Sequence, residues 1–143
     1  MMYEKKISYN YNEMEREAIF TINYGGATFI GKSRCHPEDN DYGNERTGLT
    51  IAEARANIKL MKFKRRFEIQ PKIDVLKHIL ANMETSKQYD PKSYEAKSVR
   101  SQLRAAQEAY NELSRDIEDE ERYLKEYIDK KDHLYKRLRA RNQ

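Results

Sequence analysis

Residues 27–66 read ATFIGKSRCHPEDNDYGNERTGLTIAEARANIKLMKFKRR, and three regimes follow one another within them. Ala27 to Ser33 is rich in β-prone side chains and continues a strand. Cys35 to Gly48 collects Pro37, Asp39, Asn40, Asp41, Gly43, Asn44 and Gly48, residues that favour turns, so a loop is expected. Thr50 and Glu53 then have the spacing of a capping box, which predicts a helix starting near Ile51. Ile51, Ala54, Ile58 and Met61 fall on one helical stripe, with Leu60, Phe63 and Phe67 beside it. Lys59, Lys62, Lys64, Arg65 and Arg66 crowd its last turns, where the helix dipole favours cations.

Upstream, EAIFTINYGGATFIGKS places two β-prone runs around Gly25-Gly26. A Gly-Gly pair can adopt the positive φ of a primed two-residue turn, which predicts a hairpin. Its register would set Tyr24 opposite Ala27, Ile22 opposite Phe29 and Phe20 opposite Gly31. The core face is then Phe20, Ile22, Tyr24, Ala27 and Phe29, and a slip of one residue would turn all of them outward. Before the hairpin, Glu4–Tyr11 alternates polar and apolar residues as an edge strand would. A lone hairpin is marginal in water, so a further strand, a helix or a second subunit should cover it.

Downstream, Pro71 should end or sharply bend the first helix near Glu68, and a second should run from Pro71 to Met83 with Ile73, Leu76, Leu80 and Met83 inward. After a polar link, Asp90-Pro91 looks like a helix start. From Lys92 to Arg141 there is neither glycine nor proline, enough for a helix of roughly 70 Å. Its apolar stripe alternates three- and four-residue steps, the period of a coiled coil, from Ala96 through Leu103, Tyr110, Ile117, Leu124 and Leu134 to Leu138. Glu120 and Lys131 alone break it. A break into two helices near Asp116–Glu121 stays open. The expected fold class is α+β: an N-terminal antiparallel hairpin or small sheet, then helices, the last long and coiled-coil-like. The expected division is 1–84 as a small α+β domain and 85–143 as a helical packing or oligomerisation segment.

The bulk composition agrees. The chain has 143 residues, 38% hydrophobic and 36% charged, against usual values of about 45–50% and 25%. That is lean for a compact sphere and suits a long solvated helix. A formal net charge of +4 mildly favours anionic partners. The single cysteine, Cys35, leaves no intrachain disulfide framework and fits a reducing compartment. No apolar run approaches the ~20 residues of a membrane span, and the first ten residues lack the apolar core of a signal peptide. The expectation is a cytoplasmic protein with no membrane partner.

Several motifs compete for attention. Gly26 to Ser33 satisfies GxxxxGK[ST], but a P-loop wraps phosphate with flexible backbone and opens a helix at its Lys-Ser end. Here the middle is Ala-Thr-Phe-Ile, and Arg-Cys-His-Pro follows, so the match reads as a strand. Cys35, His36, Asp39 and Asp41 are metal-ligand types without the doubled spacing of a zinc site, and no metal is expected. The basic run Arg55–Arg66 is either a nucleic-acid patch or a solvated face. The best binding candidate is the strand-to-helix corner. Lys32, Arg34, Arg46 and Arg55 could converge on phosphates, Asn40, Asn44 and Asn57 could read a base or ribose, and Phe29 and Tyr42 could stack on a purine. Against this stands simple pairing of the arginines with Glu38, Asp39, Asp41 and Glu45. No catalytic residues and no cofactor are expected.

From Gly31 to Lys59 the chain resembles a segment shared by small bacteriophage accessory proteins, in which a strand ends in a C-x-P-x-D turn and an I/L-A-x-x-R-A helix follows. The matching residues are Cys35, Pro37, Asp39, Gly48, Ile51, Ala52, Arg55 and Ala56. Among such proteins it is similar to the first Thoeris anti-defence family. That resemblance implies a non-enzymatic, homo-oligomeric sponge: it binds a cyclic ADP-ribose-type signal made by a bacterial TIR enzyme and sequesters it without cleavage. Two other classes remain open: a protein-binding inhibitor of a defence nuclease, as anti-CRISPRs are, and a DNA-binding accessory protein.

Overall fold

The structure, a computed structural model, describes residues 3–35 and 44–141. The fold class is α+β. Strands β1 (Lys5–Asn12), β2 (Glu17–Tyr24) and β3 (Ala27–Arg34) form one antiparallel sheet in the order β1-β2-β3. Helix α1 (Glu45–Lys64) runs through a π-helical turn, Arg65–Ile69, into α2 (Gln70–Glu84), and α3 (Tyr94–Arg141) is one unbroken helix of 48 residues. None of the described helices is long and apolar enough to cross a membrane.

The hairpin forms where expected and for the expected reason. Gly25 and Gly26 take φ of +57° and +80°, which a primed turn requires and side chains resist. Tyr24 then faces Ala27, Ile22 faces Phe29 and Phe20 faces Gly31. Phe20, Ile22 and Tyr24 are buried with Ala18, whereas Ala27 and Phe29 are half-buried. Gly26 to Ser33 therefore lies in a hairpin turn and a strand, not a phosphate loop. β1 pairs along the other side of β2, setting Ile7 opposite Ile22 and Tyr9 opposite Phe20. In the turn between them, Asn12 Oδ1 accepts the N–H groups of Met14 and Glu15 at 3.0 and 3.1 Å, and Arg16 closes it at φ 52°.

The chain divides into two compact units, Met1–Leu60 with Glu118–Gln143, and Met61–Ile117. In the first, α1 is buried on two sides. Gly48, Ala52, Ala56 and Leu60 follow at four-residue steps and form a face of mostly small residues. A Cβ on Gly48 would come within 3.1 Å of Ala18 Cβ, and one on Gly31 would sit 1.9 Å from the Ala52 carbonyl oxygen. Helix and sheet therefore meet backbone to backbone. Thr47, Ala54 and Ile58, also buried, lie on another side. A helix apolar on two sides has no single amphipathic stripe to read.

The start of α1 corrects the sequence reading. The helix begins at Glu45, not near Ile51, because Asn44 supplies a cap: its Oδ1 accepts the Thr47 N–H at 2.8 Å, and Gly48 N–H reaches the Asn44 carbonyl. Thr50, the expected cap, is inside the helix, its hydroxyl donating to the Arg46 carbonyl at 2.7 Å. Asn44→Ala should therefore cost about 1 kcal/mol, read from the shift of the denaturant midpoint.

Near Pro71 the chain stays helical but not α-helical throughout: a π-helical turn, Arg65–Ile69, separates α1 from α2. A proline lacks an N–H and its ring crowds the carbonyl four residues back. The π turn widens the backbone just before it, and the Gln70 N–H bonds to the Arg65 carbonyl, five residues back. The strain is absorbed as a bulge.

In the second unit, Ile73 and Leu76 of α2 pack with Ala106 of α3, and Ile69, Val99, Leu103 and Tyr110 surround them. Leu80 and Met83 are half-buried. The α3 stripe thus meets α2 here. Arg65 donates to Ser114 Oγ at 3.2 Å and its guanidinium lies 5.7 Å from the centre of the Tyr110 ring. The start of α3 is also corrected: Ser93, not Asp90, caps it, its Oγ accepting the Ala96 N–H at 3.2 Å. Asp90 instead accepts the Lys92 N–H in the preceding turn.

Candidate functional site

Within the first unit, β1, β3, the start of α1 and the last turns of α3 enclose a pocket of about 180 Å³. Its cations are Arg16, Arg34, Arg55 and Lys131, with Asp132 among them. Tyr11 and Tyr135 supply two rings, and Ser33, Cys35, Asn44 and Thr47 supply polar groups. Gly48, Ile51 and Ile128 complete the wall.

Each cation is held by its own element. Arg34 ends β3 and pairs with Glu15 at 2.8 Å, both side chains well exposed. Arg55 extends from α1 and donates to the Lys32 carbonyl at 2.6 Å, and Lys59, one turn on, donates to the Ile30 carbonyl at 2.6 Å. Arg16 is placed by its turn, and its carbonyl accepts the Cys35 N–H at 3.1 Å. Lys131 reaches the pocket from α3, 5.5 Å above the centre of the Tyr127 ring. Burial pushes the Tyr135 hydroxyl above its usual value of 10.0. Nearby Cys35, Tyr127 and Asp132 push the same way, while a hydrogen bond with Thr47 opposes them. Tyr135 therefore stays a neutral phenol at physiological pH.

Of the residues predicted to bind, Arg34, Asn44 and Arg55 meet at this pocket. Asn44 also caps α1. Lys32 and Arg46 are exposed and Asn57 is half-buried, none of them on the pocket wall. Asn40 and Tyr42 lie outside the described residues, as do His36, Asp39 and Asp41. Among the described residues no cluster of three metal-ligating side chains occurs. Cys35, Gly48 and Ile51 belong to the same corner, and the remainder of the wall escaped sequence reading. Lys131 alone carried a signal, as the cation that interrupts the α3 stripe. Tyr11, Arg16 and Tyr135 lie far from the corner in sequence and join it only through the sheet and α3. The basic run is largely engaged: Arg55 and Lys59 on β3, Arg65 on α3, and Arg66 5.2 Å from the Phe67 ring centre.

The other residue that breaks the α3 stripe, Glu120, is half-buried, and its carboxyl is raised above the usual 4.5, first by desolvation and then by the charge of Glu53. A raised carboxyl stabilises the fold fully below its unfolded value, and that stabilisation is lost as pH rises through the folded value. At neutral pH the charge is therefore a small liability. Glu120→Gln should raise the melting temperature slightly at pH 7, and the gain should vanish in melts recorded below pH 4.5.

Comparison with protein-family models, curated proteins and solved structures gives no match to this chain.

Proposed function

We propose that this chain is a phage anti-defence protein that captures a nucleotide-derived immune signal of the cyclic ADP-ribose type and holds it without cleavage. The observation that carries this reading is the pocket in which Arg16, Arg34, Arg55 and Lys131 line the same wall as Tyr11 and Tyr135. Guanidinium groups suit phosphate oxygens, which they can bind in pairs, and a tyrosine ring offers a flat face to a base or ribose. Gly31–Lys59 resembles a segment of small phage accessory proteins, and the resemblance to the first Thoeris anti-defence family among them supports the same ligand class. At about 180 Å³, the pocket is below the ~300 Å³ at which sites for whole small molecules begin. It suits one phosphoryl group with part of its sugar. Cys35 and Asn44, which flank residues 36–43, both border it.

The test is to purify the protein from cells expressing an active TIR signalling enzyme, denature it and identify the released small molecules by mass spectrometry. A near-stoichiometric, intact cyclic ADP-ribose species is expected. A blank would sink the reading for that signal, and a linear product in its place would indicate turnover.

A further inference from the structure

We propose that the protein forms a two-fold dimer through β1, the two copies of this strand pairing antiparallel to join their sheets. This inference stands on the sheet alone and does not depend on the ligand reading.

The two edges of the sheet are finished differently. At β3, outward carbonyls of Ile30 and Lys32 are taken by Lys59 and Arg55, and Gly31 between them lies against the α1 backbone. At β1, among the described residues, no hydrogen bond beyond the ladder to β2 reaches Lys5 to Tyr11. Such an edge is a template for another strand. The side chains agree with the backbone. Ile7 and Tyr9 stand opposite Ile22 and Phe20, on the face that is buried along β2, yet remain 50% and 67% exposed.

The occupant that fits is a second copy. Directly opposed residues in an antiparallel pair share a face, so the two-fold axis must pass through a residue of β1. With the axis at Ser8, Ile7 of each copy lies opposite Tyr9 of the other, and both exposed apolar pairs close over the extended core face. Lys5 then faces Tyr11 and Lys6 faces Asn10, so no like charges are directly opposed. The two Lys6 residues are four positions apart in register, about 13 Å, beyond the ~8 Å screening length of physiological salt. A seven-residue overlap is a small interface, so the dimer should dissociate in the micromolar range.

Sedimentation velocity over a micromolar concentration series tests this. The protein should pass from monomer to dimer, and Tyr9→Lys should weaken association at least about tenfold, because it sets a lysine opposite Ile7 and beside Lys5 of the second copy. Tyr9 is exposed, so the thermal melt of the monomer should be unchanged. In a Cys35→Ser background, Ser8→Cys should cross-link to itself on mild oxidation, and Lys6→Cys should not. A monomer throughout the series, a dimer indifferent to Tyr9→Lys, or no cross-link at Ser8 would overturn the proposal.

Discussion

Gly31→Ala is expected to destabilise the protein by about 3 kcal/mol or more, at the upper end of what overpacking a tight core costs. An added Cβ would lie 1.9 Å from the Ala52 carbonyl oxygen, 2.6 Å from Ala56 N and 2.9 Å from the Ala52 carbonyl carbon. All three are backbone atoms, so no side chain can swing aside, and α1 must lift from the sheet as a unit. Lifting it draws Arg55 and Lys59 off the Lys32 and Ile30 carbonyls and loosens the seat of Gly48 against Ala18. It also disturbs the pocket, since α1 and β3 both line it. Urea unfolding measures the loss. Thr28→Ala, at an exposed site on the same strand, should remain within about 0.5 kcal/mol of wild type. A Gly31→Ala variant with unchanged stability would mean that helix and sheet do not meet at this distance.

Arg34→Ala and Lys131→Ala should each weaken capture of a phosphate-bearing ligand about tenfold or more, because a hydrogen bond to a charged group contributes about 1.5–3 kcal/mol. The double variant should lose about a hundredfold if the two losses add. These positions separate binding from folding better than Arg55 does, because Arg55 also holds the β3 edge. Arg34 pairs with Glu15 where both side chains are more than half exposed, a pairing that contributes under about 1 kcal/mol. Lys131 interrupts an apolar stripe, so alanine there suits the helix. Calorimetric titration with the signal recovered from the TIR-expressing cells, beside thermal melts of both variants, reads the two effects apart. Folded variants that bind as wild type does would remove this pocket as the capture site.

The parts of the fold legible in the sequence are those fixed by short-range chemistry. Gly25-Gly26 sets the hairpin register through its own backbone freedom, so Tyr24, Ile22 and Phe20 meet their partners without help from the rest of the chain. The glycine- and proline-free run that becomes α3 shows its three–four stripe directly, and Ala96, Ala106 and Ile117 on that stripe are buried. Where two local signals competed, packing chose between them. Thr50–Glu53 and Asn44 could each start α1, and the earlier start prevailed because Gly48, a poor helix former alone, is what lets the helix sit on Ala18. Pro71 is a helix breaker by local rules, yet α2, packed on α3 through Ile73 and Leu76, continues from α1 through a π turn.

The candidate site was legible only in part. Arg34, Asn44 and Arg55 could be placed at the strand-to-helix corner because they lie close together in sequence. Tyr11, Arg16, Lys131 and Tyr135 could not, because no spacing rule links a β-turn near residue 16 to a helix turn near residue 131. The sequence by itself determined the elements, the hairpin register and the α3 stripe, since each follows from backbone preferences within a few residues. The tertiary structure decided that Arg55 and Lys59 close one sheet edge, that no described residue pairs with the outer edge of β1, and which four cations share a pocket. Those outcomes depend on how near two backbones can approach, and at Gly31 and Gly48 that distance is set by the absence of a side chain.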